Sequence, residues 1–149
     1  MKLFIDGDAF PNLLKPIVFR AIERLSLSTF IVANKRINIG NSKFITDVVV
    51  SSNPDEADNK IVELVEEGDL VITSDIPLAD RIITKNAFAI DHRGKSFTAD
   101  NVKQYLAVRN LMQEIRDSGE VTKGSKPINE KDAREFANQL NLFFMRNRK

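Results

Sequence analysis

Short apolar runs alternate along this chain with stretches whose apolar residues recur every three or four positions. Leu3 to Ile5 reads as a buried strand closed by Asp6. Leu14, Ile17, Val18, Ala21, Ile22 and Leu25 then follow helical spacing, which Pro16 permits only if it falls in the first turn. Thr29 to Ala33 is a second strand and Val48 to Val50 a third, with a polar loop over 34–43 between them. A helix opens at Pro54 and Asp55 and closes near Gly68, with Ala57, Ile61, Leu64 and Val65 as its apolar stripe. Leu70 to Thr73 is a fourth strand, 78–85 a short helix, and Ala87 to Ile90 a fifth strand. A long helix starts at Thr98 or Asp100 and runs to about Asp117. Residues 118–128, with two Gly and one Pro, read as a mobile loop before a C-terminal helix over 129–147. Asn129 and Asp132 form a capping box for that helix, which buries Ala133, Phe136, Leu140, Phe143 and Phe144.

This alternation predicts one α/β domain over 1–149, a three-layer sandwich with a largely parallel five-stranded sheet. In such sheets ligands bind beyond the carboxyl ends of the strands. Carboxylates follow four of the five strands: Asp6 and Asp8 after the first, Asp58 one helical turn beyond the third, Asp75 after the fourth, Asp91 after the fifth. Strand alternation turns Asp6 and Asp8 to the same side, and Gly7 lets the backbone turn between them. Two carboxylates this close repel each other unless a cation or a proton lies between them. Asp6 also ends a strand in the sheet interior, where an unpaired charge costs several kcal/mol by rough reckoning. Asp75 reads equally as a helix cap, Asp91 as a turn residue before Gly94, Asp55 as a cap and Asp80 as a solvated position.

Composition narrows the chemistry. The chain has 149 residues, 42% of them hydrophobic and 29% charged, as an ordinary globular domain has. Without Cys there is no disulfide and no thiolate metal site, which suits a reducing cytoplasm. No signal peptide and no membrane-spanning stretch is expected. With oxygen ligands only and a single His, the acids would select Mg²⁺ or Mn²⁺ over zinc. Such an ion activates water and steadies the charge that develops in phosphodiester cleavage. His92 stands in a turn and is expected to be exposed, so no His-based dyad is expected. No Gly-rich phosphate loop occurs. Net charge is −4 over residues 1–92 and +5 over 93–149, an arrangement fit to hold cations and receive a polyanion. In the long helix Arg109 and Arg116 fall on a stripe with Val102, Tyr105, Leu106 and Met112, where each needs a partner: a strand-end Asp or a substrate phosphate.

Asp6-Gly-Asp8-Ala-Phe-Pro11, Pro54-Asp55-Glu-Ala-Asp58, Thr73-Ser-Asp75-Ile-Pro-Leu-Ala79, Asp91-His-Arg93-Gly94, and Asn101 before Arg109 together resemble the bacterial YaiI/YqxD family nearly end to end. The resemblance implies a PIN-like domain, the fold of Mg²⁺/Mn²⁺-dependent ribonucleases. There the metal-holding acids fall on Asp6, Asp58 and Asp75, with Asp8 added, while Asp80 and Asp91 compete for a fourth place. The family commonly carries Cys where this chain has Phe10. The expected function is metal-dependent cleavage of RNA or single-stranded nucleic acid. Asp6, Asp8, Asp58 and Asp75 would hold the ion, and Arg93, Arg109 and Lys126 would contact phosphate. Two rivals stay open. One is a haloacid-dehalogenase-type phosphatase, with Asp6 as nucleophile and Asp75 with Asp80 as its metal motif. The other is a non-catalytic RNA- or protein-binding module, and a homo-oligomer or protein partner is compatible with each.

Overall fold

The computed structural model describes residues 1–119 and 126–147. The fold grows outward from β1 (Leu3–Asp6), whose Leu3, Phe4 and Ile5 are all buried. Around it lie β2 (Thr29–Ala33), β3 (Ile45–Val49), β4 (Leu70–Ile72), β5 (Phe88–Ile90) and β6 (Ser96–Phe97), in the order β3-β2-β1-β4-β5-β6. The first five strands are parallel and β6 is antiparallel to β5. The sheet thus has six strands where the pattern predicts five. Two residues between a Gly-Lys turn and a helix cap are too short a run for alternation to show, and β6 is set by its pairing with Ala89 and Ile90.

Alternation divides the sheet's two faces. Leu3, Ile5, Ile31 and Ile72 face one core with α1 (Lys15–Leu25) and α5 (Glu130–Asn147). Phe4, Val32 and Val71 face a second core with α2 (Glu56–Leu64), α3 (Ile76–Thr84) and α4 (Ala99–Asp117). This is the expected three-layer sandwich. Pro16 does lie in the first turn of α1, after a 3-10 turn at Asn12–Leu14. The reciprocal Asn129–Asp132 box forms at 2.9 and 3.2 Å, and Thr98 with Asn101 makes a second one for α4. At the β5–β6 turn Gly94 has φ +89, and a Cβ there would press on Gln139 and the Glu135 carbonyl of α5.

Three expectations change. The α2 helix stops at Leu64, short of Gly68, because Asp69 folds the chain back by accepting from the N–H groups of Glu66 (2.9 Å) and Lys2 (2.8 Å). His92 is buried, edge-on to Phe10. The α4 stripe is not core: only Val102 is fully buried, while Val108, Leu111 and Met112 are exposed, as are Arg109 and Arg116. Its partner explains this. The α3 helix has nine residues against nineteen in α4. Lys103 pairs with Asp80 in mid-α3, and Tyr105 lies under the Lys95 ammonium near the carboxyl end of the sheet. The second half of α4 therefore runs past α3 on that side, by ~15 Å at 1.5 Å per residue. Within the expected mobile loop, residues 120–125 lie outside the described residues.

Candidate active site

The order β3-β2-β1-β4-β5 makes the chain turn outward in opposite directions on either side of β1 and β4. A crevice forms at such a reversal, beyond the carboxyl ends of the strands. Asp6 ends β1 on the same face as Phe4, toward α2 and α3, by alternation. The register pairs Ile5 with Ile72, which sets Asp6 beside Thr73. Asp58 lies in the first turn of α2 and Asp75 at the N-cap of α3. Asp8 follows Gly7, whose N–H is held by the Val32 carbonyl at 2.9 Å. The glycine is needed for closeness: a Cβ there would stand 3.0 Å from Ala33 and Ile31, and the positive φ of this turn belongs to Ala9 instead.

Asp6, Asp8, Asp58 and Asp75 line one cavity of about 440 Å³, with Asn34, residues 51–55, Ala57 and Ser74. Among the described residues no Lys, Arg or His contributes to its wall. Burial, together with the charges of Asp58, Asp75 and Asp8, raises the pKa of Asp6 to about 6, although its bond from Thr73 works the other way. Asp58 is also raised to about 6, by burial and then by the charges of Asp75, Asp55 and Asp8, with Arg81 partly offsetting them. The cavity thus holds more negative charge than its own surroundings balance.

The acids are tethered by neutral donors. The Thr73 hydroxyl donates to Asp6 Oδ2 at 2.8 Å and accepts from the Asp75 N–H at 3.0 Å. Asp75 Oδ1 accepts from the Leu78 N–H at 2.9 Å, and Asp8 Oδ1 from the Asn34 N–H at 3.1 Å. Asp75 is therefore a helix cap whose carboxylate also faces the cavity. Sequence reading misses Thr73, because a strand-end Thr looks like any other; its signal is full burial of a hydroxyl between two acids. It also misreads Asp55. That residue precedes α2 but caps nothing with its side chain, sits at φ 66, and adds a fifth carboxylate to the wall.

The other candidates lie elsewhere. Asp80 is paired with Lys103 at 2.9 Å. Asp91 braces the β5–β6 turn by accepting from the N–H groups of Arg93 and Lys95. Neither lines the cavity. Arg93, Arg109 and Lys126 do not line it either. Arg93 reaches Asp132 (3.7 Å) and the Lys126 carbonyl, tying the β5–β6 turn to the start of α5. Arg109 stands in solvent on the projecting half of α4 without an ion pair among the described residues.

The donor set is all hard oxygen, as Mg²⁺ or Mn²⁺ requires. Among the described residues, no three carboxylate or imidazole groups converge closely enough to ligate one ion directly. An ion held here would take one or two carboxylates from the protein and keep several waters, as Mg²⁺ commonly does.

Fold and site together define a parallel α/β protein with an acid-lined crevice at its switch point. Residues 4–146 match the model of the family described as Uncharacterized BCR, YaiI/YqxD family, and the chain belongs to that family. It is 66% identical over 147 residues to the UPF0178 protein of Sulfurimonas denitrificans, covering 99% of this chain and 97% of that one. It is 61% identical to the UPF0178 protein of Sulfurovum sp. strain NBC37-1, with 99% of each covered. A UPF0178 protein of Shewanella amazonensis is 43% identical over 98% of each. Among the described residues no helix is long and apolar enough to cross a membrane.

Proposed function

We propose that this protein is a Mg²⁺- or Mn²⁺-dependent nuclease acting on RNA or other single-stranded nucleic acid in the cytoplasm. The observation that carries the reading is the imbalance of charge in the crevice: among the described residues five carboxylates line one wall with no basic side chain, and two of the acids are raised to about 6. A divalent cation is the simplest ligand that relieves it. When bound, such an ion supplies a Lewis acid beside a phosphate ester. Asp6 and Asp58, the two raised acids, would hold the ion, and Asp8 and Asp75 are the further carboxylates of the same wall that would help to hold it. Thr73 tethers Asp6 through Oδ2 at 2.8 Å. The PIN-like pattern of acids on Asp6, Asp58 and Asp75 supports the same assignment.

The substrate side rests on the basic second half of the chain. Arg109, on the α4 overhang, and exposed Lys126 are free to meet a phosphate backbone, whereas Arg93 would first have to leave Asp132. The phosphatase alternative loses its metal motif, since Asp80 is held by Lys103 away from Asp75's cavity. In the test, purified protein with Mn²⁺ should degrade a panel of single-stranded RNAs, and Asp6→Asn should not. If both proteins leave the panel equally intact across metals and pH, the nuclease reading fails, and salt-sensitive binding that survives Asp6→Asn would identify a binding module.

A further inference from the structure

At the amino end of the sheet, opposite the carboxylates, lies a second cavity of about 460 Å³. That size falls in the usual range for small-molecule sites, which are apolar with a few placed polar groups. Its walls come from the start of β5, from β6, from the end of α3 and from the last turns of α5. Phe88, Phe97, Phe143 and Ile83 make it apolar. Phe88 packs edge-on against Phe143, with centroids 5.1 Å apart, yet stays 37% exposed. An aromatic residue left open on a strand beside two other rings is a surface that water disfavours and a further ring would cover. The polar groups are equally specific. Arg146 stands on the wall with no ion pair among the described residues. Asn86, at φ 62, also lines the same space. Among the described residues no carboxylate lines the cavity, and Arg146 is the charged side chain on its wall.

We propose that this cavity binds a small planar aromatic molecule carrying one anionic group, its ring against Phe88 and Phe143 and its anion on the Arg146 guanidinium. A guanidinium takes a carboxylate, sulfonate or phosphate through two parallel hydrogen bonds, and aromatic walls favour a flat ring over an aliphatic chain of equal area. The site is independent of the carboxylate crevice, at the other edge of the sheet.

The full chain can be titrated with two dyes, 8-anilino-1-naphthalenesulfonate and its uncharged analogue N-phenyl-1-naphthylamine, whose emission rises on entering an apolar site. Arg146→Ala should weaken the sulfonate at least fivefold and the neutral dye less than twofold. Phe88→Ala should weaken both dyes several-fold. Both residues are exposed, so both variants should keep the fold, with unchanged circular dichroism as the check. Asp6→Asn should alter neither affinity. Equal weakening of both dyes by Arg146→Ala, wild-type affinity in Phe88→Ala, or no saturable binding to wild type overturns the proposal.

Discussion

Replacing Asp6 by Asn removes one charge from the crevice while keeping an oxygen for the Thr73 hydroxyl. A rise of the Asp6 pKa from 3.8 to about 6 corresponds to ~3 kcal/mol of unfavourable free energy once the group is ionised. One side of Asp6 faces the open cavity, so solvent screening reduces this to ~2 kcal/mol. The bond from Thr73 weakens when its acceptor becomes neutral, by ~0.5–1 kcal/mol. The net gain for Asp6→Asn without metal is therefore ~1–1.5 kcal/mol. The sign with pH follows from the raised value. Stability is full below the unfolded pKa of 3.8 and falls as pH rises through about 6. The advantage of the variant should thus vanish near pH 4 and be complete near pH 8. Thermal melts in chelator at both pH values measure it, with an expected difference of ~2–6 °C at pH 8 for a chain of this size. The contribution of His92 is common to both proteins and cancels. With Mn²⁺ at a hundredfold excess over Kd the order should invert, since wild type gains ~2.7 kcal/mol and the variant little of it. A variant less stable than wild type at pH 8 in chelator, by the same margin as at pH 4, would refute the claim that Asp6 is an uncompensated charge.

Thr73→Val leaves Asp6 without its hydroxyl donor and the Asp75 N–H without its acceptor, which should cost ~1–3 kcal/mol in urea melts and raise the Asp6 pKa further in a carboxyl NMR titration; Thr73→Ser should restore both. Asp75→Ala should cost ~1 kcal/mol through loss of the α3 cap, while Asp75→Asn, which caps equally well and removes a repelling charge, should be as stable as wild type or more so without metal but lose most of the Mn²⁺ stabilisation. Burial lowers the His92 pKa below 6.5, so its stabilising contribution is full above that pH and is lost as pH falls through the lowered value. His92→Phe should flatten that acid limb, as read by melts between pH 7 and 5, because no partner of Nε2 is lost among the described residues.

The sheet and the positions of four of its acids were legible because both follow from short-range rules. Apolar runs of three to five residues between helical stretches define parallel strands, and strand-end Asp residues must then share one end of the sheet. What was not legible depends on lengths and partners set by tertiary structure. The Arg109 and Arg116 stripe has the spacing of a buried face, but burial needs a partner as long as α4, and α3 ends too soon. His92 lies in a polar turn whose sequence suggests exposure, yet Phe10 covers it from the β1 end. The same rule that makes Asp a cap hid the role of Asp55, since capping requires extended backbone at that residue and here φ is 66. Thr73 acquires its place only from the register between β1 and β4, which no local pattern encodes.

The central claim, that the switch-point crevice is a divalent-cation site, is tested most directly by crystals soaked in Mn²⁺ near pH 8 and measured for anomalous scattering. The account predicts a strong anomalous peak within the cavity, a carboxylate oxygen of Asp6, alone or with one of Asp58, in its shell, ordered waters completing that shell, and no such peak in Asp6→Asn. A soaked crystal with no anomalous density between Asp6, Asp8, Asp58 and Asp75, or with Mn²⁺ bound only elsewhere on the molecule, would contradict it.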